Sequence, residues 1–192
     1  MSSRPRLRKF ALTAHVVSSV GWLGAVVVFL ALSVVGLTSQ DPAVVRAAYL
    51  AMESIGWFVL VPLSVASLFT GLVQSLGTKW GLFVHYWVLL KLVITVVATI
   101  VLLLYMQSLN HLAAVAAELP LASGDLDGLR SPSPLLHAGA ALVLLLVAAT
   151  LSVYKPSGMT RYGQRKQHAR RAASSGHGND PAPDDNAEPR SS

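Results

Sequence analysis

His15 stands inside a long apolar run, with Trp22 seven residues further on and Ser18 and Ser19 between them. On an α-helix that spacing brings His15 and Trp22 to within about 20° of one line. One face of the segment is therefore polar and aromatic. A neutral imidazole so placed is a ligand for haem iron or for copper, and it is equally a polar group that a neighbouring helix can bury by hydrogen bonding. Lys91 is the second such residue, six positions beyond His85 in another apolar run, with Trp87, Thr95 and Tyr105 on the same stripe. Carrying a lysine into the middle of a membrane costs about 2.5 to 3.5 kcal/mol on insertion scales. Two arrangements answer that cost. Either the long stem snorkels to the headgroups, or the ammonium faces the bundle and meets an acidic substrate group, a cofactor propionate or a proton path.

The other histidines sort by level. His85 falls near the same end of the bundle as His15, and His111 and His137 fall near the other. Two imidazoles per level are enough for a haem between facing helices at either one. No pair has the close spacing of a metal motif, so solvated or packed histidines are the plain alternative. Cysteine is absent, which removes disulfides, thiolate metal sites, iron–sulfur clusters and cysteine nucleophiles. Gly-rich phosphate loops, hydrolase triads and zinc-protease motifs are also missing.

Four apolar runs must position these groups, roughly Phe10 to Leu37, Tyr49 to Leu76, Leu82 to Gln107 and Pro134 to Tyr154. Crossing about 30 Å of hydrocarbon takes about 20 residues at about 1.5 Å each. Every run is long enough, which predicts an all-α membrane protein, a bundle of four transmembrane helices. Thr38 to Pro42 mark a turn after the first helix. Ser131 to Pro134 supply a serine cap and a proline at the start of the last. The first run is about twice the length of a signal-peptide apolar region and lacks an A-x-A site, so it reads as a retained helix. In the second helix Glu53, Trp57, Ser64, Ser67, Gly71, Gln74 and Ser75 fall within about 60° of one line, a stripe suited to helix packing and to hydrogen bonds between helices. Glu53 is expected at a hydrated outer end.

The chain is 53% hydrophobic and only 12% charged, and its net charge of +6 gathers in the flanks and connections. A folded basic surface for nucleic acid is not expected. Arg4, Arg6, Arg8 and Lys9 precede the first helix, Lys79 lies between the second and third, and Lys155, Arg161, Arg165, Lys166, Arg170 and Arg171 follow the fourth. The opposite side holds only Arg46 and Arg130. Cytoplasmic segments carry the excess of Lys and Arg, so both termini are expected inside, N-in and C-in, across the cell's cytoplasmic membrane. The chain divides into a basic segment 1–9, a helical domain 10–154 and a tail 155–192. From Ser174 the tail has no apolar periodicity and is expected to be unstructured. The bilayer is the expected partner, with a homo- or hetero-oligomer in the membrane left open.

The run from Lys9 through His15 to Gly21-Trp22-Leu-Gly24 resembles the first helix of a group of small bacterial membrane proteins in which a histidine precedes a Trp-x-Gly element. That group includes CopD-type copper-resistance proteins, HemJ-type protoporphyrinogen oxidases and an uncharacterised four-helix family. Thr70-Gly71-Leu-Val, Trp80-Gly81-Leu and Trp87-Val-Leu-Leu-Lys91-Leu extend the likeness to the uncharacterised family over about residues 9 to 107. The resemblance implies haem b. HemJ-type proteins use a first-helix histidine and a third-helix lysine, and the matching positions are His15 and Lys91, with Trp22 and His85 the neighbouring candidates. The chain departs from both named types, having no Met- or His-rich copper element and no arginine-flanked first-helix end after Trp22. Three functions stand as expectations: haem b binding or membrane redox chemistry with His15 on the iron, a non-catalytic accessory or assembly protein, and a component of copper or small-solute transport.

Overall fold

The computed structural model describes residues 3–77, 86–118 and 129–154 together with Arg165. Its elements are α1 (Ser3–Thr38), α2 (Pro42–Ile55), a π-helical turn (Gly56–Leu60), α3 (Val61–Gly77), α4 (Tyr86–Glu118) and α5 (Ser133–Tyr154). No strand occurs among the described residues. Four stretches, Arg6–Thr38, Pro42–Ser75, Tyr86–Glu118 and Ser133–Tyr154, are long and apolar enough to cross a membrane. His85, Trp80, Gly81, Lys79 and nearly all of the tail lie outside the described residues.

Local chemistry sets the helix ends. Asp41 caps α2 by accepting the Ala43 N–H at 2.8 Å, with Pro42 in the first turn, where its missing N–H costs nothing. The second helix therefore starts at Pro42 and not near Tyr49. Glu53 accordingly sits three turns inside it, half-buried, and not at its outer end. Ser131 Oγ accepts the Ser133 N–H at 3.2 Å and starts α5. The third helix runs on to Glu118, past the expected end at Gln107, because Leu109, Ala113 and Ala116 continue its buried stripe. The expected loop from Ser108 to Ser133 is shortened by that helix.

Pro62 explains the π-turn. It has no N–H to offer the Phe58 carbonyl four residues back, and its ring crowds that carbonyl, so the turn just before it widens. A wide turn changes the phase of the helix. The stripe expected from Glu53 to Ser75 is thereby split. Ser67, Gly71 and Gln74 face α1, whereas Trp57 turns to α4 and donates its indole N–H to Asn110 Oδ1 at 2.9 Å.

The spans form an up-and-down bundle. The α2–α3 span packs between α1 and α4, α5 packs on α4, and α5 closes the ring against α1. The two connections at one end lie together: Arg130 donates to Gln40 Oε1 at 2.6 Å, and the buried Tyr49 hydroxyl donates to the Leu129 carbonyl. This is the Gln40 end, and the opposite end carries Gly77. Close approach is bought at Gly56, where a Cβ would come within 2.7 Å of the Met106 thioether.

Candidate functional site

Near the Gly77 end, polar side chains of α1 meet α3 in one row. Gln74 Nε2 donates to the Ala11 carbonyl at 2.9 Å, and the hydroxyls of Ser19 and Ser67 share a hydrogen bond of 2.8 Å. His15 lies between these two contacts. Its Nδ1 is 3.1 Å from the Ser67 carbonyl and 3.2 Å from Thr70 Oγ1. A carbonyl only accepts, so the geometry assigns the proton to Nδ1. The Thr70 hydroxyl spends its own proton on the Ala66 carbonyl at 2.6 Å, leaving its oxygen to accept from His15. In the neutral ring Nε2 is then the nitrogen with the lone pair. The ring is seated on Gly71, where a Cβ would approach to 3.0 Å from Cε1 and 3.4 Å from Nδ1.

Lys91 belongs to α4, diagonally across the ring of spans from α1, and its ammonium is within electrostatic reach of the His15 imidazole. Lys91 is half-buried, and its Nζ sits 5.6 Å from the centroid of the Trp87 ring, a cation–π contact. Thr95 donates to the Lys91 carbonyl at 2.8 Å.

Trp22 belongs elsewhere. It is buried, and with Phe29, Tyr105, Met106, His137 and Ala138 it walls a cavity of about 110 Å³ toward the Gln40 end. Neither His15 nor Lys91 is in those walls. His137 stacks on Tyr105 with ring centroids 4.0 Å apart and planes 18° from parallel, and its Nδ1 lies 2.9 Å from the Ser133 carbonyl. His111 is exposed on α4. His137 is in the walls of this cavity and His111 is not. Among the described residues no three His, Asp or Glu side chains come together to hold a metal ion.

The hydroxyls behave differently from the expected helix-to-helix glue. Ser18, Ser33, Ser64, Ser75 and Thr99 all donate to carbonyls of their own helix, at 2.8 to 3.1 Å. That local bond satisfies four of them without a partner helix, and Ser33 also reaches the Met52 sulfur on α2 at 3.4 Å. Ser19 with Ser67 is the hydroxyl pair that crosses. Two parts of the site had no legible signal: the Ser67 carbonyl, which any residue would supply, and the Tyr105–His137 stack, which joins separate helices.

No family model, no curated protein and no solved structure matches this chain. The reading of the site rests on its own geometry.

Proposed function

We propose that the chain is a multi-pass protein of the cytoplasmic membrane, with both termini inside, that holds haem b on His15 and takes part in membrane redox chemistry. The observation that carries this reading is the bond from His15 Nδ1 to the Ser67 carbonyl. Histidines that ligate iron or other metals commonly donate their second ring nitrogen to a carbonyl or carboxylate, which fixes the tautomer and aims Nε2 outward. The Nδ1 of His15 makes a bond of that kind to the Ser67 carbonyl. A single such imidazole would be enough to hold a haem iron. Lys91, in electrostatic reach, supplies the cation that a propionate needs in a low-dielectric setting. Bound haem supplies one-electron exchange. The protein's own part is to hold Nε2 deprotonated and oriented, to offset carboxylate charge with Lys91, and to keep the surroundings apolar.

A second reading keeps His15 purely structural, in an accessory or assembly protein. It is favoured by the row of contacts Gln74–Ala11, His15–Ser67 and Ser19–Ser67, which staples α1 to α3 without any ligand. Copper transport has less support, since the described residues gather no multidentate ligand set. Haem content decides between the first two. After expression with haem supply intact, the wild type should purify with near-stoichiometric haem, and His15→Ala should lose tenfold or more of it while still inserting in the membrane. Haem-free wild type would leave the accessory reading.

Orientation has its own test, made simple by the absence of native cysteine. Ser39→Cys, in the short connection after α1, should react with a membrane-impermeant maleimide in intact cells. Ser174→Cys in the tail should react only after lysis. The reverse pattern would invert the topology.

A further inference from the structure

The cavity walled by Trp22 and Tyr105 is separate from the His15 row, and one of its features calls for a ligand. Tyr105 is 8% exposed, and its hydroxyl is buried with no hydrogen-bond partner among the described residues. The Ser133 hydroxyl is nearby but outside bonding geometry, and it lies 3.4 Å from His137 Nδ1. A buried O–H without an acceptor is costly, and more so where no water can reach it. The remaining walls are apolar and aromatic. Ala98, Ala138 and Ala141 keep the space open, and Trp22, the Tyr105–His137 stack and the Met106 thioether surround it with flat or polarizable faces.

Size and access narrow the ligand. The enclosed volume, about 110 Å³, is below the roughly 150 Å³ of an apolar cavity that holds benzene, so it admits at most one ring and excludes a fused system. The cavity is not closed: Val101 and Ala140 line it and are also exposed on the outer faces of α4 and α5. In a membrane those faces meet lipid. A ligand therefore arrives from the bilayer, places a ring between aromatic walls, and offers the Tyr105 hydroxyl an acceptor oxygen.

We infer that this cavity binds the head of a lipid-borne single-ring quinone, its carbonyl oxygen accepting from Tyr105 and its tail leaving between α4 and α5. The site rests on the chain's membrane placement but not on haem, so a haem-free protein would leave it intact. The test titrates the full chain in detergent micelles with a decyl-substituted benzoquinone and reads saturable quenching of tryptophan fluorescence. Tyr105→Phe removes a hydroxyl that has no hydrogen-bond partner among the described residues, so its melting curve should match the wild type while its affinity falls about tenfold. Ala141→Leu fills the space and should abolish saturable quenching. Decylbenzene, with the ring and tail but no oxygen, should compete poorly. Equal affinity in wild type and Tyr105→Phe would overturn the proposal, as would equal competition by decylbenzene, which would assign the cavity to an acyl chain. Absence of saturable quenching in the wild type would also overturn it.

Discussion

Tyr49→Ala is expected to lower the stability of the bundle by about 3 kcal/mol or more, the range for truncating a buried aromatic side chain. Tyr49 is 1% exposed, and its ring fills the notch left by Gly36, where a Cβ would lie 3.3 Å from Cε2. Helices in lipid are held by such close packing more than by apolar burial, because the surrounding tails are as apolar as the side chains. The substitution also strips the Leu129 carbonyl of its donor and so frees the connection before α5 from α2. Tyr49→Phe separates the two contributions. It keeps the packing and loses only the hydrogen bond, worth about 0.6 to 1.5 kcal/mol. Thermal unfolding in mild detergent, followed by circular dichroism, should place Tyr49→Phe much nearer the wild type than Tyr49→Ala. Equal losses would mean that the bond to the connection, and not the packing of the ring on α1, carries the contribution of Tyr49.

Gly71→Val is expected to have the largest effect on the candidate site. Its Cβ would sit 3.0 Å from His15 Cε1, tighter than nine in ten real Cβ contacts, and the two added methyls crowd the ring further against α3. The Nδ1 bonds to the Ser67 carbonyl and Thr70 hydroxyl would break. Overpacking of this kind costs about 1 to 3 kcal/mol. Disturbing the group that orients a ligating histidine typically lowers metal affinity about 10- to 100-fold. Haem content should therefore fall at least tenfold, together with a moderate loss of thermal stability. Gly24→Val is the control, because a Cβ on Gly24 meets nothing within 4 Å. It should change neither quantity appreciably. If both variants keep their haem, His15 is not its ligand.

Much of this architecture was legible in the chain itself because long apolar runs have few alternatives to spanning helices. Serine and proline placed the start of α5 to within a residue, whereas α2 was expected only from Tyr49, because Asp41 and Pro42 read as a turn and in fact cap the helix that begins at Pro42. The continuation of α4 to Glu118 was missed because Gln107, Ser108 and Asn110 look like a loop, whereas Leu109, Ala113 and Ala116 keep one face buried. The split stripe of the second span was missed for a different reason. Periodicity at 100° per residue assumes an unbroken α-helix, and the π-turn before Pro62 breaks that assumption. At the site, His15 and Lys91 were identifiable as polar groups in apolar runs. How they lie relative to each other depends on helix order and rotation, which no local pattern encodes. Trp22 illustrates the limit: it shares a helical face with His15, yet it walls a different cavity about two turns away.

The central claim is that His15 presents Nε2 to a haem iron, and the most direct test is the reduced-minus-oxidised absorption spectrum of the purified full-length protein beside that of His15→Ala. The wild type should show the Soret and alpha bands of a b-type haem and the variant should lose them, with both proteins recovered from the membrane in similar yield. A featureless wild-type spectrum from haem-replete cells, or bands that persist unchanged in His15→Ala, would contradict it.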